Sequence, residues 1–172
     1  MIFADAKITD DRRIESLRVR AWKEAYTGLV DQAILDAMDP ENEQNLAVWR
    51  NLIDRDGGFA FVQMVLNDGG DLLGFTAVAA PSRDADEPEG VAELVGGYVD
   101  PDHFRAGVGK RLLDHTIERL KNDGWREVTT WSIDGNEHGS NLLTQLGFAL
   151  DGATRKDENV LTQYSRWRLK LR

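Results

Sequence analysis

The spacing of apolar residues changes along the chain between helical and strand-like periods, and these changes predict the order of the elements. A weak alternation over residues 2–6 predicts a first strand. Apolar residues then recur at helical spacing, which predicts a helix that Thr9 caps and that ends near Tyr26, before Gly28. These apolar residues are Ile14, Leu17, Ala21 and Ala25. Two further helices are predicted over residues 32–38 and 41–54.

The rest of the chain interleaves strands with helices. Two apolar runs at 59–66 and 72–80 are joined by the turn sequence of residues 67–71 and predict a hairpin, with a turn before it at 56–58. Residues 81–90 hold prolines and acids, so we expect an exposed loop. The later predictions are a strand at 91–99, a helix at 107–123, a strand at 127–133, a helix at 137–146, and strands at 148–151 and 160–170. This order predicts a mixed α/β (α+β-like) fold whose sheet is covered on both faces.

Length and composition restrict the class of protein. A chain of 172 residues fits one domain, residues 1–172, and its 41% hydrophobic content is ordinary for a globular protein. No apolar run approaches a membrane span, and the N-terminus has no secretory pattern, so we expect a cytoplasmic protein without membrane partners. The sequence has no cysteine, which excludes a disulfide framework, a thiolate zinc site and a cysteine nucleophile. Its scattered histidines predict no metal site.

The charge distribution bears on the partner. The net charge of −9 argues against nucleic-acid binding. Against this acidic background Arg105, Lys110 and Arg111 form a local basic group, which suits a small anionic ligand. An ordinary solvated helix face explains the same three residues equally well.

The most informative segment is a strand that leads into a glycine turn and then a helix. The first N–H groups of a helix lack internal acceptors, and Gly107 and Gly109 let the backbone approach an anion closely. The segment therefore predicts a pyrophosphate cradle. A dinucleotide fingerprint requires glycine at position 112, where the chain has Leu112. A P-loop requires glycine at position 104 and Ser or Thr at position 111, where the chain has Phe104 and Arg111, so both motifs are excluded. Gly96 and Gly97, inside the preceding strand, indicate a bulge or a close approach by a ligand.

Two motifs resemble those of the GNAT superfamily of N-acetyltransferases. Tyr98-Val99-Asp100-Pro101 followed by Gly107-Val108-Gly109 is similar to motif A, (Gln/Arg)-x-x-Gly-x-(Gly/Ala) after a strand often ending Tyr-Val-x-Pro. Residues 136–148 resemble motif B, and residues 18–29 resemble the first helix of bacterial members. The resemblance implies a mostly antiparallel sheet of about six to seven strands, splayed in the middle, with helices on both faces. It also implies transfer of an acetyl group from acetyl-CoA to a primary amine of a small molecule or protein, by direct attack on the thioester.

By resemblance, the cofactor residues lie on the strand end, the glycine turn and the start of motif B. They are Gly97, Tyr98, Val99, Phe104, Arg105, Ala106, Gly107, Val108, Gly109, Lys110 and Asn136. Asn136 is equally explained as a helix N-cap. The sequence departs from the family at Phe104, where Gln or Arg is usual, and at Leu143, where many members place a tyrosine acid.

The catalytic candidates are Glu93 and Tyr98. Glu93 is an acid on an apolar strand, where burial would raise its pKa and suit a general base; a carboxylate in a salt bridge is the alternative. Many family members have a tyrosine acid at the position of Leu143, and Tyr98 or Ser140 would protonate the leaving thiolate in its absence. We therefore expect either a slow enzyme or one that uses another proton donor. Trp22 and Tyr26 lie four residues apart on the first helix, on the acceptor side in the family, although such pairs are more often core.

Two other functions remain open. The loss of the tyrosine acid at Leu143 is compatible with a catalytically weak acyl-CoA-binding sensor or regulatory domain. A structural interaction module whose glycine turn binds nothing is the third hypothesis. The acidic surface favours cationic amine acceptors, and a homodimer would be common for the family.

Overall fold

A computed structural model describes residues 1–54 and 59–172, so the turn predicted at 56–58 lies outside the described residues. The helices are α1 (Asp11–Ala25), α2 (Gln32–Ala37), α3 (Glu43–Ile53), α4 (Val108–Asn122) and α5 (Glu137–Gln145), with 3-10 turns at Ile8–Asp10 and Pro101–His103. The strands are β1 (Ile2–Asp5), β2 (Phe61–Leu66), β3 (Leu72–Ala79), β4 (Val91–Val99), β5 (Glu127–Ile133), β6 (Ala149–Arg155) and β7 (Tyr164–Lys170). None of the helices within these ranges is long and apolar enough to cross a membrane.

The predicted element order is confirmed, and the differences lie at element ends. Thr9 is not the cap of α1, because it lies inside a 3-10 turn and the helix begins at Asp11. Helix α3 begins after Asn42, whose side-chain oxygen accepts from the backbone N–H of Asn45 at 3.2 Å. Strand β7 begins later than predicted, at Tyr164, because the chain before it forms turns rather than a ladder.

The strands form one seven-stranded sheet in the order β1-β2-β3-β4-β5-β7-β6. Every neighbouring pair is antiparallel except β4 and β5, which are parallel. These two strands pair only over Val91–Leu94 and Glu127–Thr130, and beyond this point the sheet opens between them. The mixed, mostly antiparallel sheet with a central splay is therefore confirmed.

Helices cover the two faces unevenly. On one face, α4 and α5 pack on the central strands through Leu113, Ile117, Leu143 and their neighbours. On the other face, α1 and α3 pack on β2 and β3 around Trp49 and Phe75, whose rings meet edge to face at 5.5 Å. Helix α2 extends this cover through Leu35, which packs in a smaller cluster with Ile133 of β5 and Tyr164 of β7.

The loop between β3 and β4 covers the remaining part of that face. Its acids bind Arg166 of β7, which is 7% exposed and lies within 3.3 Å of Asp84 and 3.0 Å of Asp86 and Glu87. Asp151 of β6 lies 2.7 Å from the same guanidinium. The segment predicted as an exposed loop is thus held by buried ion pairs, and Glu87 is only 3% exposed.

Replacing Arg166 tests this attachment. Arg166→Met removes the buried guanidinium that binds Asp84 and Asp86 and leaves Glu87 and Asp151 with Arg168 alone, so we expect a loss of about 3 kcal/mol in the free energy of unfolding. The matched control is Arg12→Met, which removes an exposed pair with Glu41 and should cost less than about 1 kcal/mol. Urea unfolding measures both. Similar small losses for the two variants would mean that the ion pairs do not hold the loop.

Candidate active site

The opening in the sheet begins at a bulge in β4. Ala77 pairs with Gly96 and Val78 with Leu94, so Val95 is the extra residue on the β4 side. The Tyr98 ring lies over Gly96, and a Cβ added there would lie 2.7 Å from Cε2 of Tyr98. Gly96 is therefore required by this ring, whereas a Cβ at Gly97 would meet nothing closer than 3.5 Å. The predicted disruption of the strand is found at Val95 and Gly96.

On the α4 face, the glycine turn presents a row of backbone donors at the end of this opening. Gly107 is the N-cap of α4 with φ of 78°, in the left-handed region that favours glycine. The first hydrogen bond into α4 runs from the N–H of Arg111 to the carbonyl of Gly107, at 3.2 Å. Within the described residues, no acceptor is found for the N–H groups of Arg105, Gly107, Val108, Gly109 and Lys110. Such a row, at the positive end of a helix dipole, suits a pyrophosphate.

The turn differs from the expected pattern in its side chains. Arg105 has φ of 62°, an uncommon conformation for a residue with a side chain, and it is exposed beside the turn, as Phe104 is. Lys110 pairs with Asp114 at 2.7 Å. A Cβ at Gly109 would lie 3.4 Å from Leu142 and Val99, so Gly109 lets α4 approach both α5 and β4 closely.

Asn136 lies on the other side of the opening, where β5 leads into α5. Its Oδ1 accepts from the backbone N–H of Gly139 at 3.1 Å, so the interpretation as an N-cap is confirmed. A Cβ at position 139 would lie 2.6 Å from Nδ2 of Asn136, so a larger residue there would displace the Asn136 amide. Burial raises the pKa of the Tyr26 hydroxyl, and hydrogen bonding from the Asn136 side chain lowers it.

On the face opposite α4, a pocket of about 120 Å³ lies at the opening. Aromatic rings from α1, β4, β5 and β7 form most of its wall. These are Trp22, Tyr26, Tyr98, Trp131 and Tyr164. Trp22 and Tyr26 meet edge to face at 4.8 Å and belong to a small apolar cluster, as the core interpretation expects, and they also line the pocket; their acceptor role stays a prediction. Burial raises the pKa of Tyr26, with the neighbouring Tyr98 and Tyr164 as further causes, so its hydroxyl stays protonated at neutral pH.

Glu93 lies at the inner end of this pocket and is 2% exposed. Arg83 binds it three times: its backbone N–H and Nε donate to Oε2 at 3.1 and 3.0 Å, and Nη2 donates to Oε1 at 2.7 Å. Burial alone would raise the pKa of Glu93, but these bonds hold the pKa below its ordinary value. The expected raised pKa is therefore wrong, and the salt-bridge alternative is what the structure shows.

Sequence reasoning missed six residues that line the pocket, which are Arg83, Val95, Trp131, Ile133, Arg155 and Tyr164. Arg83 is the only base in the acidic loop of residues 81–90, a signal that could have marked it. Trp131 lines the pocket and donates from Nε1 to Asp84 at 2.8 Å. Arg155, at the end of β6, reaches over the rings of Trp131 and Tyr164. No local pattern marks Arg155, because three strands must meet to form its position.

The position of the expected tyrosine acid lies in the core. Leu143 is 7% exposed and packs in the apolar cluster beneath α4 and α5. Ser140 donates its hydroxyl hydrogen to the Asn136 carbonyl at 3.0 Å. Tyr98 instead lies on β4 at the opening and lines the pocket. Of the two alternative donors, Tyr98 is the one whose hydroxyl has no acceptor among the described residues.

A splayed sheet with a phosphate cradle on one face and a pocket on the other defines an acyltransferase of the acetyl-CoA-dependent class. The acetyltransferase (GNAT) family model matches residues 18–148, and the chain belongs to this family. A comparison with curated proteins found no match.

Solved structures agree on the fold. The PaiA N-acetyltransferase of Thermoplasma acidophilum, in complex with coenzyme A, is 19% identical over 99% of both chains, with a TM-score of 0.77. A phosphinothricin acetyltransferase of Sinorhizobium meliloti, in complex with AcCoA, is 19% identical over 98% of this chain and 87% of its own, with a TM-score of 0.75. The ribosomal-protein-S18-alanine N-acetyltransferase of Escherichia coli is 19% identical over 99% of this chain and 93% of its own, with a TM-score of 0.71. At these identities, the likeness is one of fold.

The pair of Arg83 and Glu93 predicts a pH-dependent effect on stability. With Arg83 present, the lowered pKa of Glu93 adds stability above pH 4.5, and this is lost as the pH falls through the folded-state pKa. In Arg83→Met the buried carboxylate loses its main donors and its pKa rises. We expect the variant to be about 1–3 kcal/mol less stable at pH 7, with the difference narrowing as the pH falls from the raised pKa of the variant to the lowered pKa of the unsubstituted protein. Urea unfolding at pH 7 and pH 4 measures this.

The control for that prediction is the same substitution in a Glu93→Gln background. Without a carboxylate to neutralise, Arg83→Met should cost little there, and the cost should not vary with pH. A pH-independent loss in the Glu93 protein would show that Arg83 acts through packing alone.

Proposed function

We propose that residues 1–172 act as one domain that transfers an acetyl group from acetyl-CoA to a primary amine of a small molecule or protein. The observation that carries the proposal is the opening between β4 and β5, which joins the donors of the glycine turn to the aromatic pocket. A thioester held from one face would meet an amine held on the other face at the bulge near Val95. Solved relatives of the same fold, in complex with coenzyme A or AcCoA, support the choice of donor.

The cradle residues would hold the cofactor in different ways. The N–H groups at residues 105 and 107–110 bind the pyrophosphate, and Arg105 and Lys110 add positive charge beside it. Phe104 and Ala106 complete the turn by backbone contacts. Gly97, Tyr98 and Val99 present the free edge of β4 to the pantetheine arm, because this edge has no β5 partner. Asn136 closes the opposite side.

The chemistry assigns two proton transfers. The amine nitrogen bonds to the thioester carbon, the carbon–sulfur bond breaks, and the products are an amide and the free thiol. The proton lost by the amine passes through water to Glu93 and on to solvent. Since the pKa of Glu93 is lowered, it is a weak base and acts best on an amine of low pKa. Tyr98 protonates the sulfur and is reprotonated from solvent.

One observation favours a second candidate, an acyl-CoA-binding sensor with weak activity. The buried Leu143 removes the hydroxyl that many family members carry on α5. A thiol has a pKa near 8.5, so a thiolate leaves at neutral pH without an acid, and slow turnover remains chemically accessible. Binding without turnover would select the sensor, and turnover would select the enzyme.

Gly107 and Gly124 provide a matched test of the cradle. Both have positive φ, at 78° and 92°, both have open space around an added Cβ, and they flank the two ends of α4. Alanine at either site should cost about 1–2 kcal/mol of stability through left-handed strain. Only Gly107→Ala should raise the Kd for CoA, by about tenfold or more, because relief of the strain turns the N–H groups away. Isothermal titration measures the Kd. An equal effect of both variants would show that the turn binds no phosphate.

Thiol release from acetyl-CoA identifies the proton donor. We expect Tyr98→Phe to lower kcat by about 10²-fold, since a single general acid typically contributes 10²–10⁴-fold. Ser140→Ala should retain kcat, because its hydroxyl hydrogen is bound to the Asn136 carbonyl. The reverse result would transfer the role to Ser140. Unchanged kcat in both would mean that the thiolate leaves unprotonated.

A further inference from the structure

Arg155 is a pocket cation whose charge no carboxylate neutralises. Its guanidinium carbon lies 4.6 Å from the centre of the Trp131 ring and 4.9 Å from that of Tyr164. In the described parts of the chain, it has neither an acid within 4.0 Å nor a hydrogen-bond partner. The other pocket arginine, Arg83, is occupied by Glu93. Arg155 is exposed to solvent where it lines the pocket, so of the two pocket arginines it is the one available to a ligand.

The remaining acids near the pocket have other partners. Asp84, beside Trp131, binds Arg166 at 3.3 Å. Asp157 lies after β6, and its negative charge helps to raise the pKa of Tyr164, after the larger effect of burial. Its carboxylate accepts a hydrogen bond from the N–H of Asn159 at 2.8 Å. Since Arg83 and Glu93 cancel, the pocket lining carries one net positive charge, on a protein whose overall charge is −9. The positive charge that Arg155 gives the pocket, on a protein of negative overall charge, favours an anion as the ligand of the pocket.

The two rings hold the guanidinium ready to bind such an anion. Stacking on aromatic faces restricts its orientation but leaves the N–H groups at its edge free to donate. A planar carboxylate matches that edge with two parallel hydrogen bonds, which are stronger than neutral ones. The wall therefore combines a fixed cation with apolar ring surface for a carbon skeleton.

We infer that the acceptor is an amino acid, a small molecule whose carboxylate binds Arg155 while its amine lies beside Glu93. The inference rests on the proposed acetyl transfer and names its substrate class. Arg155 and Glu93 line the same pocket, so one molecule bound there would contact both residues. The volume of about 120 Å³ is below that of drug-sized ligand sites and suits a molecule of this size. The charge of the pocket thus opposes the cationic acceptor expected from the acidic surface.

The test compares free L-amino acids with their carboxamides, which keep the amine and side chain and lose only the negative charge. Thiol release from acetyl-CoA gives kcat/KM for each member of a pair. The carboxamide amine differs in intrinsic reactivity, and this difference cancels when the ratio of the two values is compared between variants. We expect Arg155→Met and Arg155→Gln to lower the ratio of acid to amide about ten- to hundredfold, the size of a charged hydrogen-bond pair. The matched control, Lys156→Gln, removes the neighbouring exposed cation and should keep the ratio of the unsubstituted protein.

Each other outcome overturns the inference. If the Arg155 variants and the Lys156 variant keep the same ratio, Arg155 does not bind the carboxylate. If simple alkyl amines or amides are acetylated and amino acids are not, the acceptor class is wrong while the acetyltransferase proposal stands. Transfer to no amine of either series, with CoA still bound, overturns this inference together with the transferase proposal and selects the sensor.

Discussion

Strand β4 has hydrogen-bonding partners on both sides only as far as Leu94, and the arrangement of the site depends on this limit. The bulge at Val95 turns the strand away from β5, where the last parallel pair is Leu94 with Thr130. At that point the Thr130 hydroxyl donates to the Leu94 carbonyl at 2.9 Å, so a side chain of β5 provides the hydrogen bond at the last paired residue of β4. Beyond it, the free edge of β4 faces a space rather than a strand. Burying unpaired backbone groups without a partner is costly. The free groups along this edge of β4 therefore need a partner, and a ligand bound in the opening can supply it.

Packing on both faces keeps the two halves of the sheet apart. On one face, Gly109 brings α4 against Leu142 of α5, so these helices bridge the opening at the cradle end. On the other face, Tyr26, the residue after α1, is within hydrogen-bonding reach of Asn136, the residue before α5; burial raises the pKa of Tyr26, and this contact lowers it. The pocket and the cradle are therefore two ends of one gap, which explains why residues remote in sequence meet there.

A chain of ion pairs links the stability of the fold to the charge of the site. Arg166 holds the β3–β4 loop on the sheet, and this loop delivers Arg83 to the buried Glu93. A carboxylate so deep in the protein needs such a partner, since burial without one would favour its neutral form. The same partner makes Glu93 a weak base, so the arrangement that allows a charged group here also limits its reactivity.

The sequence predicted what depends on neighbouring residues and missed what depends on distant ones. The strands at 91–99 and 127–133 and the glycine turn follow from local periodicity and from glycine at Gly107, and the structure has them in place. The pKa of Glu93 was mispredicted because its partner arrives on a loop whose course is determined by Arg166 of β7. Arg155 was missed for the same reason, as its position requires rings from β5 and β7.

The weak base and the free cation point to the same kind of acceptor. A lysine amine has a pKa of about 10.4, so at pH 7 only about one in 2,500 is neutral, whereas an α-amine is less basic: its pKa is near 8 at a peptide N-terminus and higher in a free amino acid, where the carboxylate stabilises the ammonium form. A site whose carboxylate is held ionised by Arg83 gains little by deprotonating the former, and it acts far more readily on the latter. α-Amines lie next to a carbonyl or carboxyl carbon, and in a free amino acid that carbon bears the negative charge that Arg155 is placed to bind. Proton chemistry at Glu93 therefore favours α-amines over lysine amines, and charge recognition at Arg155 favours, among α-amines, those that carry a carboxylate.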